Sequence, residues 1–126
     1  MKKFELTPHE TIPDGIVNSI EKKLRQALKN EFPADGMKLM VVRIDTDTFK
    51  NGYNAHFYID YDVKVNGGFP ISDRKIYSIE GKTRQALKNE FPPDGMKVGI
   101  EKINIEVIKN GYKIQFQMGY YVKVRW

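Results

Sequence analysis

A stretch of fourteen residues occurs twice, almost unchanged, and nothing else in the chain limits the fold so strongly. Arg25–Lys38 reads RQALKNEFPADGMK and Arg84–Lys97 reads RQALKNEFPPDGMK, differing only in Ala34 against Pro93. The same offset of 59 residues carries Lys50-Asn51-Gly52-Tyr53 onto Lys109-Asn110-Gly111-Tyr112, and Val63-Lys64-Val65 onto Val122-Lys123-Val124. Tandem duplication of one unit accounts for this pattern. Every element expected in one half must then make sense in the other.

The unit begins with a helix. Val17, Ile20, Leu24, Ala27, Leu28 and Phe32 recur at helical spacing over 14–32, and Pro33 and Asp35-Gly36 end the run. In the second half the stripe is Ile76, Ile79, Ala86, Leu87 and Phe91, with Ser72 placed to cap the helix. Gly81 in mid-helix costs about 1 kcal/mol relative to alanine, so the second helix is expected to be the weaker.

Each helix is followed by a hairpin, over 37–65 in the first half and 96–124 in the second, with alternating apolar and polar residues. Asn51-Gly52 and Asn110-Gly111 point to two-residue turns of type I′. That turn sets Lys50 opposite Tyr53, Thr46 opposite Phe57, Ile44 opposite Ile59 and Val42 opposite Tyr61. On the other face it sets Asp47 against His56, Asp45 against Tyr58 and Arg43 against Asp60. In the second hairpin Ile105 meets Phe116, Ile103 meets Met118, and Ile100 meets Tyr121 on the outside. The apolar phase slips at Val41–Val42, and again between Ile100 and Ile103, which predicts a β-bulge in each half. Alternation over 2–6 predicts a short first strand.

The fold class is therefore α+β. Tandem α-β-β units in the order β-α-β-β-α-β-β build a curved antiparallel sheet with two helices packed on one face. The whole chain, 1–126, forms a single domain made of a first copy over 1–66 and a second over 67–126.

The absence of cysteine excludes disulfides, thiol nucleophiles and thiolate metal sites. No phosphate-cradling glycine loop is present, and no cofactor is expected. His9 and His56, the two histidines, lack the spacing of a metal pair, so no metal site is expected. No apolar run is long enough for a membrane helix, and the N-terminus lacks the apolar core of a signal peptide; the expected setting is cytoplasmic, with no membrane partner. The first half holds 10 basic and 10 acidic residues, the second 11 and 6, so the second carries the entire net charge of +5.

Three sites are open on this reading. The first is the outer sheet face, where Tyr58, His56, Asp60, Gln115, Gln117 and Tyr121 mix aromatics, amides and charge as protein-binding surfaces do. It implies a non-catalytic binding protein with a protein partner or a homo-oligomer, through that face or a free strand edge. The second is the basic faces of the helices, Lys22, Arg25, Lys29, Lys82, Arg84 and Lys88, which would take nucleic acid or another acidic surface. The third is the Asp47/His56 pair, a carboxylate orienting an imidazole, as a hydrolase or a metal-dependent enzyme would use it. An open sheet face excludes water poorly and no positioned nucleophile accompanies the pair, so the protein is expected not to be an enzyme.

Overall fold

The computed structural model describes residues 12–32, 37–68, 71–90 and 95–125. Its elements are α1 (Asp14–Leu28), β1 (Lys38–Phe49), β2 (Gly52–Asn66), α2 (Asp73–Leu87), β3 (Met96–Ile108) and β4 (Gly111–Arg125). The strand expected over 2–6 lies outside the described residues. No helix among those described is long and apolar enough to cross a membrane.

The four strands form one antiparallel sheet in the order β1-β2-β4-β3, so the two hairpins meet along their second strands. At the middle of that seam Ile59 pairs with Met118. These two residues are themselves related by the 59-residue offset. The seam thus has the form of an isologous interface, with an approximate two-fold axis passing between Ile59 and Met118.

Both helices pack on one face of the sheet. Ile20, Leu24 and Leu28 from α1 and Ile79 and Leu87 from α2 close over Phe57, Tyr61, Phe116 and Tyr120, all buried. Phe57 stacks on Tyr120 at 5.3 Å and Tyr61 on Phe116 at 5.4 Å, so the seam is held by paired aromatic rings as well as by the ladder. The helices are joined by ion pairs that repeat across the axis: Lys23 reaches Glu90, and Lys82 reaches Glu31. Burial pushes the Glu31 carboxyl up, but hydrogen bonds from Lys82 and Ser78, with the charges of Lys82 and Lys75, outweigh it and hold the group below the usual range.

Each helix ends earlier than the apolar stripe suggests, at Leu28 and Leu87. There the Leu28 and Leu87 carbonyls accept from the Glu31 and Glu90 amides in a closing turn, each at 3.2 Å, and from the sheet below, where Tyr61 Oη donates to Leu28 at 3.1 Å and Tyr120 Oη to Leu87 at 3.2 Å. Ser72 caps α2 as expected, accepting from the Lys75 amide at 3.1 Å.

The register differs from expectation by two residues. Phe49 pairs with Gly52, and Ile108 with Gly111, so the turns are Lys50-Asn51 and Lys109-Asn110. Neither asparagine has positive φ, so the turns are not of type I′. The glycines serve close approach instead. A Cβ on Gly52 would stand 2.9 Å from Arg125 Cα, and one on Gly111 2.8 Å from Asn66 Cα, each driven into the neighbouring strand's backbone. Because the shift is an even number of residues, each side chain keeps its expected face while its partner changes.

The bulges fall where the apolar phase slips, between Val41 and Arg43 and between Ile100 and Lys102. Val42, expected opposite Tyr61, is the extra residue of the first bulge and half exposed. Ile100, expected outside against Tyr121, pairs with Met118 and packs against the core. A bulge on an edge strand leaves backbone groups to satisfy, and the helices reach out to them. Glu21 accepts from the Val41 amide and Glu80 from the Ile100 amide, both at 2.9 Å, and Arg25 donates to the Leu39 carbonyl at 3.0 Å.

Candidate functional site on the outer sheet face

The face turned away from the helices carries a run of stacked planar groups. His56 on β2 lies opposite Tyr121 on β4, and their rings stack at 3.8 Å and 22°. Tyr58, two residues along the same face, has its ring 3.8 Å from the imidazole and tilted 35° to it. Arg43 on β1 pairs with Tyr58 and holds its guanidinium 4.5 Å above that ring. The guanidinium is fixed in turn by Asp45, with Nε–Oδ1 at 3.1 Å and Nη2–Oδ2 at 2.6 Å. The Arg43 hydrogen bond holds the Asp45 carboxyl below the usual range, against a smaller upward effect of burial. Burial and the hydrogen bond to Asp45 raise the Tyr58 hydroxyl.

The imidazole also meets a carboxylate, though not the expected one. Asp47 pairs with Asn54, because the two-residue register shift moves Asp45 opposite His56. The carboxylate in contact is Glu101, whose Oε2 lies 3.3 Å from His56 Nε2. Glu101 is the extra residue of the β3 bulge, and the bulge aims its side chain across β4 toward β2. Gly119 leaves the passage open. A Cβ there would sit 2.7 Å from Glu101 Cδ and 2.9 Å from His56 Nε2. In the first half the corresponding positions hold Val42 and Asp60, so this arrangement exists once.

The remaining predicted residues form a second group beside the stack. Gln115 Oε1 accepts from Asn104 at 2.9 Å and from Gln117 at 3.2 Å, and Gln115 Nε2 donates to Asp60 at 3.4 Å. Burial, and then the charge of Asp62, push the Asp60 carboxyl up. Arg43 bonds Asp45 and not Asp60, correcting the expected cross-strand pair. Between the stack and the amides is a depression of about 290 Å³ lined by Val42, Arg43, Tyr58, Asp60, Glu101 and Gln117. The six outer-face residues named from the sequence therefore come together as two adjoining clusters.

The basic helix residues are not assembled in this way. Lys82 is engaged by Glu31, and Arg25 by Glu21 and the Leu39 carbonyl. Lys22, Lys29, Arg84 and Lys88 are exposed. Among the described residues no group of three His, Asp or Glu side chains could hold a metal ion; His9 lies outside them.

No family model, curated protein or solved structure matches the chain.

Glu101 and Gly119 are the two positions of this candidate site that periodicity did not single out. Signals for both were present: a charged residue inside a phase slip, and an isolated glycine within a strand, which marks a bulge or a close approach.

Proposed function

We propose that the protein is a non-catalytic binding protein, and that the outer face of its sheet takes a partner protein with Tyr121 as the anchor. One observation carries this reading. Tyr121 is 45% exposed, yet its ring is already fixed by stacking on an imidazole whose side chain is only 12% exposed. An exposed aromatic held in place before binding loses little side-chain freedom on contact, and tyrosines of this kind dominate interface energetics. The Asp60–Gln115–Gln117–Asn104 amides beside it supply the adaptable polar contacts such surfaces carry around an aromatic centre.

The test uses an exposed tyrosine elsewhere as its control. Tyr77 on α2 is 70% exposed and lies on the opposite side of the molecule from the outer face. The immobilised protein should retain a discrete partner from lysate at high salt. Tyr121→Ala should weaken retention by about 2 kcal/mol or more, while Tyr77→Ala leaves it unchanged. Retention that survives Tyr121→Ala together with Tyr58→Ala overturns the reading. Nucleic acid that is retained and then lost steeply with added salt would move the site to the exposed helix cations instead.

A further inference from the structure

The two halves of the chain diverge at a place the outer-face site does not use. Toward their hairpin ends, β1 carries Thr46 and Thr48 on the helix-side face, where β3 carries Ile105 and Val107 at the matching positions. Ile105 is 42% exposed and Val107 76%. β3 is an outermost strand of the sheet, and α2 guards only its first part, through Glu80 on the Ile100 amide. Among the described residues no hydrogen bond reaches the outer edge of Lys102–Ile108. A strand edge with unpaired backbone and exposed β-branched side chains is a template for another strand.

We propose that this edge pairs with the same edge of a second copy, antiparallel, about a two-fold axis at Asn104. The charges select this occupant and this register. Pairing centred on Asn104 sets Lys102 opposite Glu106 of the second copy, and by symmetry Glu106 opposite its Lys102. On the helix-side face Ile103 meets Ile105 of the second copy, again twice, extending the apolar stripe of both cores. Moving the centre to Ile103 or Ile105 loses both ion pairs. The bulge at Glu101 ends the pairing on one side, so five residues, 102–106, form the ladder. The edge of β1 is built against the same act. Its residue at the axis would be Asp45, the counterpart of Asn104, and two carboxylates facing each other across a strand pair repel.

Sedimentation of the purified full chain, from micromolar to near-millimolar protein, tests this. The expected result is a reversible monomer–dimer equilibrium. Lys102→Glu or Glu106→Lys should each weaken it about tenfold, because each places two like-charge pairs at the interface. The double swap, Lys102→Glu with Glu106→Lys, should restore it. Replacing Ile105 with threonine, its counterpart in the first half, should weaken the dimer strongly, with circular dichroism showing that the fold is kept. A chain that stays monomeric throughout overturns the proposal, whether residues 1–11, another protein or nothing covers the edge. So does a dimer indifferent to the charge swap, which would use another surface. Tyr121→Ala should leave the dimer intact, so this inference and the sheet-face reading can fail separately.

Discussion

At the scale of single residues, the glycines show how one residue type answers different demands. Gly111 and Gly119 both lie in β4, and both leave no room for a Cβ, but their neighbours differ. At Gly111 the obstruction is the backbone of β2, which cannot move without opening the seam. At Gly119 it is the end of the Glu101 side chain together with the packed His56 ring. Gly111→Ala should therefore cost about 3 kcal/mol and Gly119→Ala about 1 kcal/mol in urea unfolding, with Glu101 displaced from His56 in the second case. Local turn chemistry alone assigns the Asn-Gly pairs to the turns. Their real constraint is the approach of a strand distant in sequence, and this is why the predicted register is two residues off.

Tyr61 and Tyr120 make a pH prediction at the same scale. Burial, and next the charge of Glu31 or Glu90, push both hydroxyls above the ordinary tyrosine range. Each group keeps its proton in the folded state at a pH where the unfolded chain has released it. Stability from this source is fully present below about pH 10 and falls as pH rises above it, by up to about 1.4 kcal/mol per pH unit for each tyrosine. Replacing both with phenylalanine should cost about 1 kcal/mol per lost hydrogen bond at neutral pH and flatten the alkaline decline. A decline as steep as in the wild type would show that other groups carry it.

At the scale of elements, α2 departs most from what its sequence would favour. Gly81 sits in mid-helix with open space where a Cβ would project, so Gly81→Ala should stabilise the protein by about 1 kcal/mol, read as a higher urea midpoint with unchanged slope. The bulges offer a complementary test. Glu80→Ala should destabilise by about 1–2 kcal/mol by stranding the Ile100 amide, while Glu80→Gln, which still accepts, should cost less. The helices, the hairpins and both bulges were legible because 3.6-residue and two-residue periodicities, and the slip between them, are local properties of the chain. The helix ends were not, since the apolar stripe runs on past Leu28 and Leu87 into a closing turn, and the tyrosines that meet those carbonyls come from strands distant in sequence.

At the scale of the molecule, the order β1-β2-β4-β3 creates the site. It lays β4 beside β2, bringing Tyr121 onto His56 and letting Glu101 reach the imidazole across Gly119. Every cluster member on the outer face except Glu101, the extra residue of the β3 bulge, was visible in the alternation of one strand. Their meeting was not, because nothing local specifies which strands adjoin. The near-symmetric frame is then broken on its outer face, where Tyr58, His56, Tyr121 and Glu101 have Gln117, Gln115, Asp62 and Val42 at the matching positions. A binding surface that used the repeat itself would present both halves alike; the proposed one presents a single centre. Hydroxyl-radical footprinting of the protein, free and with its retained partner, tests that claim most directly. Protection of Tyr121 and Tyr58, with Tyr77 unchanged, is the predicted result. Protection of Tyr77 and the helix surfaces, with Tyr121 still reactive, would contradict it.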